Sequence, residues 1–283
     1  MPSLLVVDNG SLRPESILQL RSIARGLARR LDHPVSPVSL LHASKIPADR
    51  LGGEPADTFE PFLRRQADLG EREFVIVPLF FGPSRAITHL IPEVTGRLRA
   101  TYGDLHIAVA DVLCPLPPGE EALLEILEQH VTPMCAKART GTTHIVVVDH
   151  GSPLPQVTAV RNWLATGLAS RLRGLGPVTE AAMERRPGID YDFNGRLLEA
   201  VLADIAADSP EADIVLAMQF ISPGRHAGPG GDVDGICREL SQQYPRLQIT
   251  TTPLVGEHPL LIEVLASRVA AALRLGGGRT AGR

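Results

Sequence analysis

Three segments carry side chains suited to metal or proton chemistry: "VVVDHGSPLP" from Val146, "EAAMERRP" from Glu180 and "FISPGRHAGPGGD" from Phe220. They supply His150, Glu184 and His226. Two imidazoles and a carboxylate make a nitrogen and oxygen donor set suited to Fe²⁺, Co²⁺ or Ni²⁺. A neutral imidazole is also the side chain that accepts a proton near pH 7. Each residue taken alone has an ordinary structural reading. A histidine before Gly-Ser at a strand end caps the next helix, a histidine in a glycine loop is an exposed loop residue, and Glu184 beside Arg185 and Arg186 is a solvated charge cluster. What favours chemistry is their joint placement, and that depends on the elements that carry them.

Those elements come in two copies. "LVVDNGSLRP", from Leu5, repeats the His150 segment with Asn9 at 150 minus 9, or 141, positions earlier. "FFGPSRAITH" from Phe80 repeats "FISPGRHAGP" with Pro83 and Arg85 each 140 positions before Pro223 and Arg225. "LLHASKIP" and "EAAMERRP" align with Pro47 and Pro187 also 140 apart, and "LCPLPPGEEALLEIL" aligns with "TTPLVGEHPLLIEVL" at 138. Four matches in order at nearly one offset predict two homologous halves. In each half short β-branched apolar runs alternate with segments of helical spacing, which predicts βαβ units and buried parallel strands. In the second half the strands are "HIVVVDH", "VTEAAME", "ADIVLAMQF" and "LQITTTPL", and helices follow from Pro155, Tyr191, Val233 and His258. In the first half the strands lie near Leu4, Val35, Phe74 and Ile107. The expected fold is therefore α/β: two three-layer α/β/α domains, each with a mainly parallel four-stranded sheet. The expected boundaries are 1–131 for the first repeat, 132–143 for a linker, 144–275 for the second repeat and 276–283 for a disordered tail.

Ligands of open parallel sheets bind outside the carboxyl ends of the strands. His150, Glu184 and His226 each follow a different strand, so all three are aimed at one rim of the second sheet. The offsets place Asn9, Ser44 and Ala86 at the matching positions of the first half, which has kept the scaffold and lost the donors. His89 lies three residues past Ala86 and reads as a solvent or interface residue, His258 as a cap or turn residue, and Cys114 and Cys237 as packing residues. In the loop "SPGRHAGPGGD", Gly224, Gly228, Gly230 and Gly231 permit close backbone approach. Its N–H groups and the following helix are expected to receive carboxylates of a ligand, with Arg225 adding a fixed charge. Neither G-x-x-x-x-G-K-[ST] nor a first-turn G-x-G-x-x-G is present, which argues against a nucleotide enzyme.

"VVVDHGS", "FISPGRHAGPGGD" and "PLVGEHPLL" resemble the CbiX/SirB-type class II chelatases, the sirohydrochlorin cobalto- and ferrochelatase family, in its long duplicated form. The resemblance runs along essentially the whole chain. It implies ATP-independent insertion of a divalent metal, Co²⁺ or Fe²⁺ with Ni²⁺ as a third option, into sirohydrochlorin or a related carboxylated tetrapyrrole. It implies that His150 and His226 are the catalytic imidazoles and metal ligands, with Glu184 as a third member. Arg225, Gly228, Gly230 and Gly231 would then face substrate carboxylates, and Arg161, Arg185 and Arg186 are further candidates. The family pattern is broken in the first half at Asn9 and Ala86.

Composition sets limits consistent with this. At 283 residues the chain is about twice a typical domain length. Its formal net charge of -4 makes it no electrostatic trap for nucleic acid. Three scattered cysteines imply no disulfide framework and suit a cytoplasmic location. The start "MPSLLVVDNG" reads as a strand rather than a signal peptide, and no apolar window is long enough for a membrane span. The expected partners are a tetrapyrrole, with no nucleic acid and no membrane, and the expected state is a monomer with pseudo-dimeric halves or a homodimer. Two other classes compete: a non-catalytic relative that only binds metal or tetrapyrrole, and a two-lobed periplasmic-type binding protein.

Overall fold

A computed structural model describes residues 2–139 and 143–277. Residues 140–142 of the expected linker and 278–283 of the expected tail lie outside the described residues. The chain forms two compact units. One runs up to Pro115 and resumes at Pro259, and the other is Leu116–His258.

The first unit contains β1 (Ser3–Asp8), α1 (Pro14–Leu31), β2 (Val35–Ser39), β3 (Asp57–Thr58), α2 (Phe59–Asp68), β4 (Glu73–Pro78), α3 (Ile91–Tyr102) and β5 (His106–Val109). Its strands are all parallel in the order β3-β2-β1-β4-β5. The two-residue edge strand β3 adds a fifth strand to the four expected. Apolar residues on both faces of β1 explain the continuous run in the sequence. Leu5 and Val7 pack with Phe59, Leu63, Ile91 and Leu98 of α2 and α3, while Leu4 and Val6 are buried on the opposite face.

The second unit contains α4 (Glu121–Cys135), β6 (Thr143–Asp149), α5 (Pro155–Arg171), β7 (Val178–Ala182), α6 (Leu198–Asp208), β8 (Asp213–Met218), α7 (Asp232–Gln243) and β9 (Gln248–Thr251). The sheet is parallel in the order β7-β6-β8-β9. Val146 and Val148 of β6 pack with α6 and α7 through Leu198, Leu202, Val233 and Leu240. α4 and α5 lie against each other, with α4 on β8 and α5 on β6 and β7. The last helix, α8 (Leu260–Gly277), follows β9 in the chain and packs on α1, β4 and β5 of the first unit. Each sheet thus has helices on both faces, as a parallel sheet requires.

The helix expected from Tyr191 starts later. Ile189–Asn194 is a 3₁₀ turn and α6 begins at Leu198. Asn194 is buried, and its side-chain oxygen accepts from the Ser152 N–H and the Thr158 hydroxyl while its amide donates to the Ser152 carbonyl. Gly195, at φ +68°, then turns the chain. Pinning this segment to the turn after β6 takes precedence over its helical pattern.

Candidate metal centre

The site begins where β6 runs out. Its ladder with β7 continues one step beyond the sheet: the Met183 N–H donates to the Asp149 carbonyl (2.9 Å) and the Glu184 N–H to the His150 carbonyl (3.1 Å). His150 and Glu184 therefore leave adjacent strands side by side. Gly151 makes this possible. Its φ is +85°, and a Cβ there would lie 1.9 Å from the Glu184 carbonyl oxygen, so no other residue fits. The Ser152 hydroxyl accepts the Leu154 N–H (3.1 Å) and closes the turn into α5.

Asp149 sits beneath the turn. It is buried, accepts the Gly151 N–H (3.0 Å) and pairs with Arg161 at 2.6 Å. Arg161 also reaches Glu180 (2.8 Å) and the Asn194 carbonyl (2.6 Å). Burial works against the guanidinium charge, but Asp149 and Glu180 outweigh it and raise the Arg161 pKa. Burial likewise opposes charge on Asp149 and raises its pKa, with Arg161 and the Gly151 N–H opposing the rise. With a guanidinium that stays protonated at this distance, the pair is ionic. Arg161 was a candidate for substrate carboxylates. It is fully buried and committed to Asp149 and Glu180, so it is not available to a ligand.

His226 arrives from the loop after β8. The loop folds onto itself: the Gly224 N–H donates to the Ala227 carbonyl, Gly231 to Gly228, Asp232 to Arg225 and Val233 to His226. The Gly230 N–H donates to the Asp234 carboxylate (3.0 Å). The expectation that Gly230 and Gly231 offer open N–H groups to a ligand is thereby corrected, since both are used inside the loop. Their role is steric. Gly230 has φ +70°, and a Cβ on Gly231 would lie 2.8 Å from the His226 carbonyl oxygen.

These elements bring the three expected residues together. One ligand atom from each of His150, Glu184 and His226 lies within 4.8 Å of the other two. His150 Nε2 is 3.6 Å from Glu184 Oε1, and His226 Nε2 is 3.9 Å from Glu184 Oε2. The two rings meet edge to face, with centroids 4.4 Å apart at 74°. Both present Nε2 to the carboxylate and turn Nδ1 elsewhere: that of His150 to the Gly151 carbonyl (3.1 Å), and that of His226 toward Asp232 Oδ2 (2.8 Å). The Asp232 carboxylate is at contact distance, and no directed hydrogen bond reaches Nδ1 of His226 from the other described residues. Burial lowers the His226 pKa, with the neighbouring His150 adding to it and Glu184 and Asp232 opposing. The imidazole is thereby biased toward the neutral form that binds metal. Exposed Arg225 places Nε 3.3 Å from Asp232 and Nη1 3.9 Å from Glu184. The sequence reading missed Asp232. Its only signals were an acid closing the glycine loop and a place in the first turn of a helix.

The first unit builds the same turn without the donors. Gly10 (φ +87°) would put a Cβ 1.8 Å from the Leu41 carbonyl oxygen. The Gly10 N–H donates to Asp8, the Arg13 N–H to the Ser11 hydroxyl, and the Leu41 N–H to the Asn9 carbonyl. The counterpart of Glu184 is therefore Leu41, not Ser44. The Pro47–Pro187 match lies beyond the strands, where the loops differ: 3₁₀ turns at Ala43–Lys45 and Ala48–Leu51 in the first unit, and one at Ile189–Asn194 in the second. The first rim thus carries Asn9, Leu41 and Ala86. His89 is exposed and contacts Thr88 at 2.7 Å, and His258 contacts Gln129 at 2.9 Å. Leu20 takes the place of Arg161 in the first unit (161 minus 141), and the neighbouring Arg21 bonds the carbonyls of Leu51, Glu54 and Pro55. Half-buried Asp8 pairs with no arginine among the described residues. Burial raises its pKa to about 6, against the Ser39 hydroxyl and the Gly10 N–H.

The CbiX family model matches residues 3–132 and 144–272, one copy on each half. The chain belongs to the CbiX family. No curated protein matches the sequence. Among solved structures, this CbiX-family chain is similar to SirB from Bacillus subtilis with Fe³⁺ (17% identity, TM-score 0.71, 98% of each chain covered). It is also similar to the sirohydrochlorin chelatase SirB from Bacillus subtilis subspecies spizizenii in complex with cobalt (15%, TM-score 0.67, 98% of each). A third is CbiX, described as the terminal enzyme for biosynthesis of siroheme in denitrifying bacteria (19%, TM-score 0.57, 95% of this chain and 99% of that one). At these identities the likeness establishes the fold, the duplicated α/β architecture of two mostly parallel sheets. No described helix is long and apolar enough to cross a membrane.

Proposed function

We propose that this chain inserts a divalent metal, Co²⁺ or Fe²⁺ with Ni²⁺ as a further candidate, into sirohydrochlorin or a related carboxylated tetrapyrrole without ATP. The observation that carries the reading is the convergence of His150, Glu184 and His226 from three strand ends onto one N₂O cluster. Membership of the CbiX family and the metals named in the SirB structures support it.

Insertion replaces two pyrrole N–H protons by one M²⁺. The metal needs a holding site that lets it go, and three donors at a partly open rim provide weak, incomplete coordination. The protons need an acceptor. His150 has 58% of its side chain exposed, and its Nδ1 faces the Gly151 carbonyl, which keeps the ring proton on Nδ1 and the lone pair on Nε2. In this reading His150 accepts a pyrrole proton at Nε2, while buried His226 holds the metal with Glu184. Exposed Arg225 and the backbone at Gly228 are the groups left to meet substrate carboxylates, with Arg185 and Arg186 beyond them. Arg185 is tied to Asp192 at 3.1 Å and Arg186 stacks on Tyr191.

Anaerobic incubation with sirohydrochlorin and each metal, followed by visible absorbance, tests this. The parent protein is expected to exceed the spontaneous rate, and His150→Ala, His226→Ala and Glu184→Ala each to lose at least about 100-fold, the usual scale for a positioned acid–base group. A parent rate equal to the spontaneous reaction would favour a protein that only binds metal or tetrapyrrole. Variants matching the parent would sink the site assignment.

A further inference from the structure

We infer that Asp232 is a positioning residue: it orients His226 so that Nε2, and not Nδ1, faces the metal. The inference rests on the reading of His150, Glu184 and His226 as the metal site. His226 is nearly buried, and its ring has little freedom. One face meets the edge-on contact with His150 at 4.4 Å, and Nδ1 lies 2.8 Å from Asp232 Oδ2. A neutral imidazole carries one ring proton. A carboxylate beside Nδ1 draws the proton to that nitrogen and leaves the lone pair on Nε2, the atom that faces Glu184. Nδ1 is buried, no other described residue accepts from it, and the Asp232 carboxylate lies at contact distance, so this carboxylate is the group placed to receive its proton.

The backbone fixes the two residues as a unit. The Asp232 N–H donates to the Arg225 carbonyl at 3.0 Å and the Val233 N–H to the His226 carbonyl at 3.1 Å. Gly231 stands between them because a Cβ would meet the His226 carbonyl. Asp232 is the first residue of α7, so the helix start fixes its backbone. Arg225 Nε, 3.3 Å from the same oxygen, holds it from the other side.

The first unit offers an independent observation. Val233 and Ile91 are the first buried apolar residues of α7 and α3. The residue before each is Asp232 in one unit and Leu90 in the other. Where the imidazole has become Ala86, its carboxylate partner is also gone.

The test is a Co²⁺ titration followed by visible absorbance and by calorimetry, on the full chain. Asp232→Ala is expected to weaken Co²⁺ binding by about 10–100-fold, the range seen when the partner of a metal-binding histidine is removed. Asp232→Asn, which keeps the shape and the helix start, should lose about tenfold or more, and Asp232→Glu should recover part of the loss. In a His226→Ala background the Asp232→Ala change should add nothing, because a positioning residue has nothing left to orient. A full further loss in that background would overturn the inference, as would parent affinity in both Asp232→Ala and Asp232→Asn. If His150→Ala, His226→Ala and Glu184→Ala themselves bind Co²⁺ like the parent, the metal-site reading fails instead.

Discussion

Replacing Arg161 by methionine removes the guanidinium paired with a nearly buried carboxylate, that of Asp149. The two acids it serves are unequal. The Asp149 side chain is 7% exposed and that of Glu180 34%, so water can take over much of the Glu180 contact but little of that to Asp149. Removing one partner of a buried ion pair costs about 3–5 kcal/mol, because the remaining charge is left uncompensated. Loss of the bond to the Asn194 carbonyl adds about 1 kcal/mol. Trp163, the single tryptophan, lies on the same helix two residues on, so its fluorescence reports this unit. With urea slopes of about 1–3 kcal/mol per molar, the Arg161→Met midpoint should fall by more than about 1 M at pH 7. The sign of the pH response is fixed. Burial raises the Asp149 pKa in the folded state, so protonation favours folding and the deficit should shrink as pH falls from 7 toward 5. Adding Asp149→Asn should restore much of the loss. A deficit below about 1 kcal/mol, or one independent of pH, would refute the claim that this pair underpins the turn carrying His150.

The other half supplies the opposite experiment. Asp8 lies at about 6 against an ordinary 3.8. At about 1.4 kcal/mol per unit its ionised form costs roughly 3 kcal/mol above pH 6 and nothing below pH 3.8. Asp8→Asn should therefore be more stable than the parent at pH 8 by an amount approaching that figure, with the advantage fading toward pH 4.5. Thermal melts by circular dichroism across that range check it, and an advantage that does not vary with pH would refute it. Gly151→Ala should part His150 from Glu184, since its Cβ would meet the Glu184 carbonyl at 1.9 Å. Co²⁺ affinity should drop at least about tenfold, whereas Gly224→Ala, with open space around the new methyl, should bind like the parent.

Much of this site could be read before any coordinates. β-branched runs ending in Gly-Ser mark where strands stop, and the repeat register turns Asn9 and Ala86 into informative losses. Other features depend on information a linear pattern does not hold. That Leu41 is the positional equivalent of Glu184 follows from the β1–β2 and β6–β7 registers, which prolines in divergent loops misreport by three positions. Arg161 is a charge within a helical stripe and reads as surface until Asp149 is seen beneath it. Asp232 was hidden by the length of the glycine loop: five residues separate it from His226 in the chain, and the fold of the loop removes that separation.

The placement of α4 and α8 bears on why a half whose rim lacks the two imidazoles persists. Each sheet is completed by a helix encoded in the opposite repeat: α4 follows β5 in the chain and covers β8, and α8 follows β9 and covers β4. A gene that shed its first repeat would strip α4 from the second sheet and leave α8 with no sheet to cover. The two halves are therefore mutually hostage. Side chains at the rim of one half can change by point substitution, residue by residue, while deletion of that half would cost the other its covering helix; the first repeat, with Asn9, Leu41 and Ala86 at its rim, keeps the same architecture.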